Sequence, residues 1–306
     1  MKHHFRPLKF HTSLGAHEPV LTVRDGESIV TTTADSWGFD HNEDQVAPWG
    51  NPQTGPFFVE HAAPGDTLAV RFDSVCPNRS YGYCDTIIER HLVTPDYADA
   101  LAEQGTAEWR IERMAGTATL VSPTIRRGLL SLPLAPFLGC FGVAPAGEPI
   151  STATCGEHGG NMDYRRFVSG TTAYLPVFRP GALLFLGDGH ALQGDGEIVG
   201  SGVECSMDVT VTVRLLKGSP LISPRGESED WVFTLGNARP LEAAIRIATT
   251  GMLRYLEQEM GFGTADAGLV LAQCARYDLG NLVNPASTVA CRIAKARLRA
   301  LVSLTP

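Results

Sequence analysis

Every apolar stretch in this chain is short and soon reaches a glycine, a proline or an Asp-Gly pair, so long buried helices are excluded over most of its length. What the pattern permits is many brief strands joined by tight turns. Residues 20–23, 28–33, 55–59 and 67–72 are β-branched or aromatic and are bounded by Asp25-Gly26 or Pro64-Gly65-Asp66. The pattern resumes at 171–177, 182–186, 197–200 and 208–214, the last alternating with period two as a strand with one wet face should. The punctuation is compositional as well as local: 32 glycines and 20 prolines make up about one residue in six, against about one in eight on average.

Helical spacing enters late. Leu241, Ile245, Ala248, Met252, Leu256 and Met260 recur three and four residues apart behind Pro240, with Gly261 placed as a C-terminal stop. A second helix is expected over 264–275 with Thr264 as its cap, a returning strand over 287–294, and a short helix within 95–106. The expected fold class is α+β, mainly β: sandwich or barrel-like sheets with a C-terminal helical pair packed on them. No linker or repeat divides the 306 residues, so residues 1–306 read as a single unit, at most two intimately packed β subdomains.

Charge narrows the partners. A net charge of -8 leaves no basic field for nucleic acid or for an anionic membrane surface. Apolar runs such as 181–186 fall far short of the ~20 residues that span a bilayer, and residues 1–6 lack a secretory apolar core, so a cytoplasmic location is expected. Seven cysteines without a C-x-x-C pair signal neither a disulfide framework nor a thiolate zinc site, and read as buried thiols.

Chemistry concentrates in two glycine-rich segments, Thr154-Cys-Gly-Glu-His-Gly-Gly-Asn-Met-Asp163 and Gly187-Asp-Gly-His-Ala-Leu-Gln-Gly-Asp-Gly-Glu197. Eleven of the 32 glycines lie between Gly156 and Gly202. Neutral imidazole and carboxylate suit zinc or a similar divalent ion, and an extended backbone after Leu186 would put Asp188 and His190 on one face, with Glu197 able to return to it. The plainer reading is a Gly-Asp-Gly hairpin turn and ordinary polar loop residues. Asp35, with residues 40–44, forms a third polar cluster. No Gly-x-Ser-x-Gly elbow and no Cys-His pairing supports a covalent nucleophile.

These segments carry a resemblance to the acetamidase/formamidase family, together with Asn51-Pro-Gln-Thr-Gly-Pro-Phe-Phe-Val-Glu60, Pro64-Gly-Asp-Thr-Leu68, Gly142-Val-Ala-Pro-Ala146, Leu175-Pro-Val177 and Gly181-Ala-Leu183. Cys155-Gly-Glu157, the loop 37–49 and the segment 81–92 depart from it. The resemblance implies hydrolysis of a small-molecule amide to ammonia and carboxylate, a divalent metal ion (zinc, with calcium the alternative) and homo-oligomerisation. In that reading a subset of Asp35, His158, Asp163, Asp188 and His190 holds the ion, Glu197 is the general base, and Gln193 and Asn161 hold the amide or its oxyanion. The alternative keeps the fold without catalysis: a metal-stabilised β protein that binds a small polar ligand.

Overall fold

The computed structural model describes residues 1–126 and 128–302. Among them the strands gather mainly into two large sheets. The first has nine strands and is centred on Met207–Leu216 and Thr67–Pro77, which run antiparallel. Alternation fixes its faces: Val209, Val211 and Val213 are buried, while Asp208 and Arg214 are exposed. The second sheet runs Cys155–Gly156, Gly159–Asn161, Phe137–Val143, Leu184–His190, Gln53–Val59 and Phe10–His11, with Leu21–Val23 parallel to Gln53–Val59. Aromatic rings tie one sheet to the other. Phe72 of the first sheet meets Phe141 of the second edge-on at 5.0 Å, and Phe167 packs at 4.8 Å from Phe141. This is the face-to-face core of a sandwich. A four-stranded sheet, Tyr81–Asp85, Thr106–Glu112, Thr117–Ser122 and Ser131–Pro133, adjoins it.

The helical pair covers the outer face of the nine-stranded sheet at one end. Strand Trp231–Ala238 is buried on both sides: Phe233 and Leu235 join the inter-sheet core, and Val232 joins the cluster under the helices. Helix Leu241–Gln258 buries Ala244, Ala248, Met252 and Leu256, a stripe of four-residue spacing, against this strand and Ser287–Ala294. The expected face is rotated slightly. Ile245 is 37% exposed and Ala244 takes the buried place, because Gly236 lets the helix sit too close for a branched side chain. The second helix, Thr264–Cys274, is capped by Gly263 and not by Thr264. Residues 95–106 give only the single turn Pro95–Ala98. Two further expectations exchange places: the presumed loop at 187–190 is strand, and the presumed strand at 197–200 is a turn. No helix among the described residues is long and apolar enough to cross a membrane.

A Cβ on Gly236 would lie 1.9 Å from the Ala244 carbonyl oxygen, whereas one on Gly147 would meet nothing within 4 Å. Gly236→Ala is therefore expected to destabilise the protein by about 1–3 kcal/mol and Gly147→Ala to leave it unchanged, read as urea midpoints.

Candidate active site

The second sheet carries the chemistry on its strands. Asp188 and His190 lie at the end of Leu184–His190, and Asp163 follows Gly159–Asn161, its backbone N–H donating to the Gly139 carbonyl at 3.0 Å. Glu197 arrives on the turn that follows, and Glu204 bridges both His190 and Tyr83 through its backbone. All five side chains are at most 5% exposed. They form two overlapping groups, Asp163–His190–Glu197 and Asp188–His190–Glu204, each with ligand atoms within 4.8 Å of one another.

Glycine makes this convergence sterically possible. A Cβ on Gly139 would fall 2.4 Å from Asp163 Oδ1 and 2.6 Å from Asp188 Oδ2, and one on Gly202 would fall 2.5 Å from His190 Nδ1. Gly187 and Gly189 serve contact and not turning, since their missing Cβ atoms make room for the Gln53 amide and the Cys205 carbonyl. Three of the acids hold the left-handed conformation that L residues avoid: Asp163 (φ 46°), Asp188 (φ 59°) and Glu197 (φ 51°). Such backbone costs about 1–3 kcal/mol per residue and persists only where the surroundings enforce it.

Hydrogen bonding fixes the imidazole. Gln193 donates through Nε2 to the carbonyls of Asp163 (2.8 Å) and Gly280 (3.1 Å), so its Oε1 accepts from His190 Nδ1–H at 2.8 Å. His190 Nε2 is thereby the ring atom left for the cluster. It lies 3.0 Å from Glu204 Oε1 and 3.3 Å from Asp188 Oδ1 without aligning on either as a hydrogen bond. Asp163 Oδ1, Glu197 Oε2 and Glu204 Oε2 are likewise buried without a hydrogen-bond partner among the described residues. Burial, with like charge nearby, pushes the Glu197 carboxyl up to about 8 and that of Glu204 up to about 7, although His190 opposes both shifts. Asp163 is raised by burial and then by Glu197 and Asp188. Burial alone would lower His190, but Glu204 and Asp188 outweigh it and the ring is raised. Orphaned oxygens, one unshared nitrogen and carboxyls strained by their own proximity are the donor set of a divalent cation, and these residues fit one.

A cleft of about 440 Å³ opens onto the group. Asp188, Glu197, Glu204, Asn51, Asn161 and Asn284 line it, together with the less buried Trp37, Trp49 and Asp85. Of the residues singled out in the sequence, Asp163, Asp188, His190 and Glu197 come together. Asn161 lines the cleft, its Oδ1 accepting from Asn51 Nδ2 at 2.8 Å. Gln193 orients His190 and spends both of its N–H donors on the Asp163 and Gly280 carbonyls. His158 is buried between Gly156 and Gly160 outside both groups, and burial lowers its ring to about 4. Asp35 has other partners: Oδ2 accepts from Arg79 Nη2 at 2.6 Å and Oδ1 from the Trp37 and Phe39 amides. The acid missed in sequence is Glu204, which stands two residues beyond Gly202, at the end of the glycine-dense span, and seven beyond Glu197. The Cys155 thiol is buried and pushed up to about 12, far from a reactive thiolate.

The chain matches the profile of the Acetamidase/Formamidase family over residues 146–278. It is 28% identical over 214 residues to a putative formamidase of Schizosaccharomyces pombe, covering 54% of this chain and 51% of that protein. The chain thus spans about half or less of the length of the curated relatives it matches. Solved structures match over nearly the whole length. The acetamidase from Yersinia enterocolitica superposes with a TM-score of 0.85 at 33% identity, covering 97% of this chain and 93% of that one. A predicted acetamidase/formamidase from the thermophile Thermoanaerobacter tengcongensis gives 0.84 at 28% identity, covering 98% of each chain.

Two outcomes follow from this geometry. Arg79→Met leaves the Asp35 carboxylate buried without its counter-ion and should cost about 3–5 kcal/mol in denaturant unfolding. In protein stripped of divalent ions, Glu197 and Glu204 keep protons when folded that the unfolded chain releases near its ordinary 4.5, so their contribution is lost as pH rises through about 7 and about 8. His190, also raised, acts in the same direction above 6.5, and His158 opposes only between about 4 and 6.5. The stripped protein should therefore unfold at lower urea at pH 8.5 than at pH 6.5, and divalent ions should narrow the difference.

Proposed function

Because the chain belongs to the acetamidase/formamidase family, we propose that it hydrolyses a short-chain amide of the formamide or acetamide type to ammonia and a carboxylate, using a divalent metal ion and a glutamate general base. The observation that carries this reading is the buried group of Asp163, Asp188, His190, Glu197 and Glu204, whose unpaired donor atoms converge at the end of an open cleft.

Asp188, His190 and Glu204 would hold the ion. His190 Nε2 is the only ring nitrogen that Gln193 leaves free, and it already faces these two carboxyls. One imidazole among oxygen donors suits zinc and also, through the oxygen majority, calcium. When bound, such an ion lowers the pKa of water toward ~7 and polarises a carbonyl. Glu197 is assigned the proton transfer. Its Oε2 is unpaired among the described residues, its residue lines the cleft, and a carboxylate there can take a proton from water and return it to the departing nitrogen. Asp163 Oδ2 is held by Asn284 Nδ2 at 2.7 Å, which keeps its Oδ1 turned to the same group. Asn161 spends its Oδ1 on Asn51, and among the described residues its Nδ2 donates to no protein acceptor, so that N–H₂ is available to the substrate carbonyl or the oxyanion that replaces it.

Ammonia release from formamide and acetamide should be abolished by a chelator and restored by a divalent ion. Glu197→Gln should lower kcat by about 10²–10⁴-fold while bound metal per chain stays constant, measured by turnover and elemental analysis. Near wild-type turnover at unchanged metal content would remove Glu197 from the mechanism.

A further inference from the structure

The cleft holds far more than its simplest substrate needs. Its 440 Å³ lies in the range of about 300–1,000 Å³ that accommodates ligands much larger than acetamide. The remaining space has a definite character. Among the described residues no lysine, arginine or histidine lines it, while four carboxyl residues do, and two tryptophans present ring surface, Trp49 being 75% exposed. Of the four acids, Asp188, Glu197 and Glu204 belong to the buried group. The fourth, Asp85, stands apart on strand Tyr81–Asp85.

Its position follows from the backbone. Tyr83 pairs with Glu204, its N–H donating to the Glu204 carbonyl at 3.3 Å and its carbonyl accepting from Glu204 N–H at 2.7 Å. Asp85 is two residues further along the same strand, so it faces the same side about 7 Å beyond the reacting end. Trp37 stacks on Tyr83 at 3.9 Å between ring centroids, lying along this path. Asp85 Oδ2 and Glu89 Oε1 both face the Gly200 turn, where an added Cβ would lie 3.6 Å and 3.3 Å from them, and neither carboxyl has an ion-pair partner among the described residues. At the inner end the unpartnered, buried Glu197 Oε2 and Glu204 Oε2 mark where the reacting group binds.

From this arrangement we propose that the cleft selects amides carrying a cationic ammonium group about three methylenes from the carbonyl, with Asp85 as the specificity-determining residue and Trp37 and Trp49 as the walls. An ammonium beside an unpaired carboxylate and over indole rings is stabilised twice, by charge and by the ring quadrupole. A carboxylate in the same place meets only like charge. The inference rests on the amide-hydrolase reading and extends it to the part of the substrate that does not react.

Three amides of matched length separate the cases: 4-aminobutanamide (cationic), pentanamide (neutral) and glutaramate (anionic), with acetamide as the control. The metal-replete enzyme should show kcat/KM in the order cation, neutral, anion, with the first about tenfold above the second. Raising ionic strength from about 0.01 to about 1 M should shrink that ratio, and Asp85→Asn should bring it close to one. The ratio is read within each protein, so a general loss of activity in the variant cancels. A wild-type ratio of one or less, or one that Asp85→Asn leaves unchanged, overturns the inference while acetamide hydrolysis keeps the function standing. If acetamide and all three probes resist hydrolysis, both readings fall together.

Discussion

Four carboxyl groups and one imidazole share a space from which water is nearly excluded, and this mutual repulsion is what the surrounding structure has to contain. Isolated buried charges of one sign are among the most costly arrangements a protein can hold, so they persist only when something fixes them and a counter-charge answers them. The fixing is visible. Gly139 and Gly202 supply room on two sides, Gln193 sets the imidazole from behind, and Asp163, Asp188 and Glu197 are held in a backbone conformation each would abandon if free. The counter-charge is what a divalent ion would bring.

The sandwich is suited to that task because it resists local relaxation. Phe72, Phe141 and Phe167 lock the two sheets, and the helical pair seals the far side of the nine-stranded sheet at one end, over Trp231–Ala238 and Ser287–Ala294. The group is therefore anchored in a packed interior, with Asp188 and His190 on a strand that Phe137–Val143 and Gln53–Val59 flank. The less buried residues are those around the cleft, where Trp37, Trp49 and Asp85 line the part of it that the buried group does not.

Much of the architecture was legible in the residues. Alternation at 208–214 and helical spacing behind Pro240 translate directly into period-two and period-3.6 burial. Alternating Ala107, Trp109 and Ile111 carried the same signal for a strand that drew no expectation. The site was half legible. Glycine density located it and brought Asp163, Asp188, His190 and Glu197 forward, but the roles of those glycines were misread. Gly187 and Gly189 look like a hairpin turn, whereas they sit in a strand crowded on both faces, a fact about neighbours distant in sequence. Asp35 lies outside the group for the same reason: Arg79, its partner 44 residues away, cannot be seen from its local sequence. Glu204 was overlooked because no motif flanks it and only the pairing of its backbone with Tyr83 and His190 turns it inward.

Tying the acids to sheet strands also decides how an ion could travel. A site built on mobile loops can release its ion whenever a loop swings out, in a small local opening. Here Asp188 and His190 ride on a strand inside the sheet, the backbones of Asp163 and Glu204 are bonded to strands, and such elements open only at free energies near that of global unfolding. Passage of the ion is left to the cleft alone, past the indole of Trp49, so its residence time would be set by side-chain motion at a mouth and not by any breathing of the fold.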